Sequence, residues 1–191
     1  MEQFSFNYLL IFCSLLNIYK GNMHSIYRIF GCLWGFLGIT FLLGHGVSCL
    51  IPYVIELSDF LLSSVHYVAL SFSVFLLGYA EGYKGFQLKF SPRAASRVSV
   101  ILKEPTYLRI IFAPFFCMGF FDSSTKRKIL SYGLTGMIIV LIILVAKLPQ
   151  PRRGIVDAGV LLGLSWGIIS FWIFTFRLLF IKNIYVDPEL G

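Results

Sequence analysis

The sequence predicts an all-α integral membrane protein. It reads as four transmembrane helices, an N-terminal helix that is interfacial or a fifth span, and a short proline-broken helix that is re-entrant or interfacial. Three observations carry this prediction. Of the 191 residues, 58% are hydrophobic and only 13% charged, with a mean hydropathy of +0.83. Soluble chains run about 45–50% apolar with roughly a quarter of residues charged, so too few polar side chains remain here to clothe a soluble core. The apolar residues fall into runs of about 20, the length needed to cross roughly 30 Å of hydrocarbon. The basic residues behind the net charge of +7 cluster between those runs, as topogenic charges do. A nucleic-acid binder would spread its charge over a solvated face, and no nucleic-acid partner is expected.

The chain has the length of a single membrane domain, residues 1–191. Residues 4–19 place Asn7, Ser14 and Asn17 on one stripe at helical pitch, which suits an amphipathic helix at the interface. The acidic start Met1-Glu2-Gln3 lacks the basic n-region of a cleavable signal, and Met23 is an alternative start. Spans are predicted at about 29–51, 60–80, 129–148 and 155–176. Residues 107–121 are too short for an easy crossing and contain Pro114. If they do not cross, 13 of the 16 Lys and Arg lie on one side of the membrane. The positive-inside rule favours that arrangement, with a cytoplasmic C-terminus and a bacterial inner membrane as the location. Residues 81–106 then form a basic cytoplasmic loop, 52–59 an outer loop, and Pro149-Gln150-Pro151 a stiff outer turn.

Small residues mark the packing faces. Gly159, Gly163 and Gly167 form a ridge on the last span, and Gly31 and Gly35 a second pair on the first. Such ridges let helix backbones approach closely, which matters in lipid because apolar side chains gain little there by leaving it. They serve packing within the chain or a seam to another copy or another membrane protein.

Polar residues inside apolar runs are the candidate sites. His45, with Cys49 one turn on, and His66 are expected at similar depth in the first two spans. Two imidazoles at one level suit a metal or haem iron; a simple interhelical hydrogen bond is the plainer alternative, and no cofactor is predicted. Glu81, Lys84, Lys89, Arg93 and Arg97, interleaved with aromatic residues, suit headgroup phosphate or a protein partner, with Glu81 pairing to Lys84 or Arg93. Asp122 or Ser123 is expected to cap the third span. Asp157, in the first turn of the last span, is expected to pair with Arg152 or Arg153. Cys13, Cys32, Cys49 and Cys117 lie in apolar runs without a CxxC, which argues against a disulfide framework or zinc knuckle.

The sequence contains no HExxH, P-loop, GxSxG or GxGxxG pattern. The reading that follows is a non-catalytic subunit, assembly factor or lipid-interacting component of a membrane complex. The alternatives are a small oligomeric transporter or channel, and a redox or metal protein using His45 and His66. Membrane lipids and a homo-oligomeric or membrane-protein partner are the expected contacts.

Overall fold

A computed structural model describes the backbone of residues 2–180 and 187–188, and the side chains of residues 26–179 and 187–188. Every regular element among them is helical. Among the described residues three helices are long and apolar enough to cross a membrane, at Ile26–Asp59, Thr125–Ala146 and Arg152–Leu179.

Helix α1 (Glu2–Glu56) runs without interruption through both 4–19 and 29–51. This corrects the expectation of two separate helices. Between the two apolar segments the weakest helix former is Gly21, and its cost of about 1 kcal/mol is too small to end a helix. The outer loop also shortens, because α1 continues through Pro52 to Glu56 and only a 3-10 turn, Leu57–Asp59, follows.

The next helical stretch is also longer than its composition suggested. Helix α2 (Ser64–Leu77) passes directly into a π-helical segment (Gly78–Phe90) and then into α3 (Ser91–Lys103). The span expected over 60–80 is therefore a 14-residue α-helix followed by wider turns, and most of the predicted 81–106 loop is helix. Gly78, Gly82 and Gly85 make this stretch look loop-like, but packing overrides weak propensity. An added Cβ at Gly82 would lie 3.2 Å from Trp166, and one at Gly78 2.7 Å from Leu162. Pro92 occupies the first turn of α3, where the wider π turns give way to α-helix. Beyond it, Ala94, Val98 and Ile101 repeat at helical pitch and are all buried.

Residues 107–121 form two short helices, α4 (Tyr107–Ile111) and α5 (Ala113–Met118), joined at Phe112. Together they extend about 17 Å at 1.5 Å per residue. They lie against α1, where an added Cβ at Gly35 would sit 3.3 Å from Ala113 and from Cys117 Sγ. Helix α6 (Thr125–Ala146) and α7 (Arg152–Phe180) follow, separated by the expected tight turn, in which the Gln150–Pro151 bond is cis.

Helix α7 is the centre of the bundle. Its glycines lie along the α2–π stretch in register. An added Cβ at Gly159 would meet Ser73 O and Leu77, at Gly163 it would meet Glu81, and at Gly167 Phe86. Numbers rise together in these pairs, so the two helices run parallel. Against α1 the order reverses: Tyr53 meets Arg153, and Thr40 meets Trp172. Each of the three tryptophans donates its indole N–H across a seam: Trp34 to Ile111 O, Trp166 to Gln87 Oε1 and Trp172 to Thr40 Oγ1. In lipid such a donor has no water to fall back on. A core of Ile39, Val98, Ile101, Phe116 and Phe171 closes the half of the bundle remote from Tyr53 and Arg153. Helix α6 stands apart, with only 6% of its apolar window buried.

Candidate functional site

The polar groups that the fold draws together most tightly lie around Arg97. Its place in the sequence explains its burial. Ala94, Val98 and Ile101 make the apolar face of α3, and Arg97 falls inside that stripe rather than opposite it. The guanidinium is carried under α5 and is 1% exposed. Nε donates to Pro188 O at 2.8 Å and one terminal nitrogen to Phe116 O at 2.8 Å and Phe121 O at 3.3 Å. The other terminal nitrogen donates to Asp122 O at 3.2 Å. Four carbonyls from three stretches of chain thus converge on one side chain.

Those carbonyls point inward because the chain after α5 turns tightly. Gly119 ends the helix at φ 85°, the left-handed conformation that glycine adopts without steric cost. Asp122 adopts φ 50°. Its carboxylate pairs with Arg109 Nε, and Arg109 also reaches Glu104. The Phe116 ring, 0% exposed, lies 4.9 Å from the Arg97 guanidinium and 5.3 Å from that of Arg109. Arg127, itself buried, would lie 3.1 Å from a Cβ added at Gly119. Ser123 Oγ donates to Gly119 O and Ser131 Oγ to Met118 O. The expected capping of α6 is thereby corrected: its cap residue is Ser124, with no side-chain bond, because Asp122 and Ser123 are engaged in this knot. Burial also pushes the Cys117 thiol up.

Chemically, Arg97 directs its donors onto backbone carbonyls. Such an arrangement holds α3, α5, the 119–124 turn and the Asp187–Pro188 stretch in one geometry; it presents no nucleophile. Arg97 is therefore corrected from a surface contact to a buried bracket.

The remaining sequence-selected residues are dispersed. Lys84 and Lys89 are exposed, with Lys84 Nζ 5.0 Å from the Tyr79 ring centre, and Arg93 is half-buried. Glu81 forms no ion pair with Lys84 or Arg93; it lies against Gly163. Asp157 is 3% exposed and faces Arg153 at 3.5 Å, while Arg153 covers the Tyr53 ring at 3.4 Å. Gln150 completes this end, donating to Tyr53 O and Glu56 Oε2.

His45 Nε2 lies 3.7 Å from Cys49 Sγ within α1, and its ring stacks on Phe41. His66 Nδ1 accepts from Ser63 N at 3.2 Å at the start of α2. Each imidazole thus has a partner on its own helix. Among the described residues no three His, Cys, Asp or Glu side chains group as metal ligands do. Cys32, Cys49 and Cys117 are free, and the Cys13 side chain lies outside the described residues.

Sequence reasoning missed the bracket role of Arg97 and the stacking on Phe116. The first had a readable signal, a cation on the apolar stripe of a helix; the second depends on a turn that no local pattern specifies. In comparisons with protein-family models, characterised proteins and solved structures, the chain matched none.

Proposed function

We propose that this chain is a non-catalytic component of a membrane complex, an assembling or lipid-contacting subunit that contributes a helix rather than a reaction. The observation that carries the reading is α6. Its apolar window has a mean hydropathy of 2.6, the highest of the three, yet only 6% of it is buried by the rest of the chain. Added Cβ atoms at Gly133 and Gly136 would meet nothing within 4 Å. Only its first turns, at Arg127 and Ser131, enter the fold. A helix so apolar and so bare offers its length to lipid and to neighbouring spans, where van der Waals packing decides association.

Two further features support the reading. The face of α7 that carries Ile168, Ile169, Trp172, Ile173 and Phe176 is open and apolar with Arg177 at one end, which suits an acyl chain below a phosphate. The charge pattern supports four spans, with the Arg97 knot and the C-terminus on the cytoplasmic face of a bacterial inner membrane.

The test is a photo-crosslinking residue at Val140 combined with an affinity pull-down of the full chain in mild detergent. The expected result is one fixed protein product that both crosslinks and co-purifies. A chain that isolates alone as a monomer and crosslinks to lipid only would refute the subunit reading.

A further inference from the structure

We propose that Glu81 is a membrane-embedded proton-binding site, a carboxyl group that takes up and releases a proton deep within the apolar layer. The proposal rests on the reading that α7 crosses the membrane and goes beyond the subunit role.

Depth comes first. A Cβ added at Gly163 would lie 3.1 Å from Glu81 Cβ and 3.3 Å from its Oε2, so the carboxylate and Gly163 share one level. Gly163 is three turns from Arg152, about 16 Å along the axis, and more than four turns from Leu179, about 24 Å. Half of a bilayer's hydrocarbon layer is about 15 Å. The residue that composition assigned to a cytoplasmic loop is thereby carried toward the midplane, because the helix does not stop at Ala80.

Isolation comes second. Among the described residues Glu81 has neither a hydrogen bond nor an ion pair, and it is half-buried. Helix α7, which packs against it, has no ionisable residue between Asp157 and Arg177. On its own segment Tyr79, Tyr83 and Lys84 are nearest in sequence, and Lys84 Nζ is over the Tyr79 ring. Helix α2 contributes His66 and Tyr67 four turns away, and α3 contributes Arg93 about three turns away. An ionised carboxylate without a counter-ion is costly in hydrocarbon, and ionisable groups at such depth mark proton or ion pathways. The neutral acid removes that cost.

Setting comes third. Glu81 belongs to the π-helical segment, a backbone form that concentrates at functional positions. One turn of α7 nearer Arg152, Ser73 Oγ is buried on the same seam with no hydrogen-bond partner. One turn the other way, Gln87 Oε1 accepts from Trp166. Ser73, Glu81 and Gln87 thus line one side of the glycine ridge.

The test uses the full chain in phosphatidylcholine vesicles, washed with carbonate and treated with a hydrophobic carbodiimide, which adds to protonated carboxyls. A water-soluble carbodiimide serves as the comparison, and mass spectrometry locates the adducts. Glu81 is expected to take the hydrophobic reagent at least tenfold more readily than the water-soluble one, with labelling that falls as pH rises. Exposed Glu56 and Glu104 should show the opposite preference, and Glu81→Gln should lose the adduct. A carbonate-resistant chain unlabelled at Glu81, or labelled equally by both reagents, overturns the proposal alone. Protection by sodium at fixed pH overturns it in favour of an alkali-cation site. Release of the chain by carbonate overturns the membrane reading and this proposal together.

Discussion

Replacing Arg97 by alanine should open the end of the bundle at which it lies, and the size of the effect follows from its contacts. Four carbonyls lose their donor, but they are not equivalent. The bond to Phe116 O is buried, whereas those to Phe121 O, Asp122 O and Pro188 O are part-buried, where water can replace the lost donor. A buried acceptor left unpaired costs about 1–3 kcal/mol, and loss of the guanidinium over Phe116 about 1 kcal/mol more. The sum is about 3 kcal/mol, roughly a hundredfold in a local opening equilibrium. Cys117, beside Phe116 and 1% exposed, reports that opening directly. With Cys13, Cys32 and Cys49 changed to serine, maleimide labelling of Cys117 in detergent should accelerate about a hundredfold in Arg97→Ala. Arg97→Lys should accelerate it by an intermediate factor, because a compact ammonium cannot span the same fork of acceptors. Lys103→Ala, at an exposed site on the same helix, is the control. A rate for Arg97→Ala within threefold of the parent would refute the bracket role.

The glycines should divide into two groups. Gly159→Ala brings a methyl to 2.7 Å from the Ser73 carbonyl, a backbone atom that cannot swing aside, and should lower stability by about 1–3 kcal/mol. Gly133→Ala and Gly136→Ala meet open space and should be neutral or stabilising by up to about 1 kcal/mol. Thermal unfolding in detergent separates them, and equal shifts would contradict the packing described. At the other end, Arg153→Ala strands the 3%-exposed Asp157 and should cost about 2 kcal/mol. The double change Arg153→Met with Asp157→Leu should recover much of that loss; an additive pair of losses by the same assay would show that the two side chains act separately.

How much of this was legible in the sequence differs by region. Long aliphatic runs specify helices almost unaided, and α6 and α7 lie within a few residues of their predicted limits. The 81–106 region was misread because Gly82, Gly85 and Ser91-Pro92 are loop signals only when nothing packs on them. Here Trp166 of α7 fills the space that Gly82 leaves, and Phe86 fills the space at Gly167 of α7 in return. Asp157 and Arg153 sit four apart on one helix, so their pairing was readable from spacing alone. Arg97 and Asp122 come from stretches joined only through the turn at Gly119, and no local pattern encodes that meeting.

The parallel course of α2 and α7 has a consequence for connectivity. Two antiparallel neighbours can be joined by a hairpin, but two parallel ones need the chain to travel back to its starting side. Helix α6 is that return stroke, and the tight turn at Pro149–Pro151 reverses it into α7. Its upper turns are therefore constrained in length and direction far more than in the identity of their side chains. Substituting that stretch with plain leucine would preserve the route, and any specificity lost on doing so would have to come from what α6 touches outside its own chain.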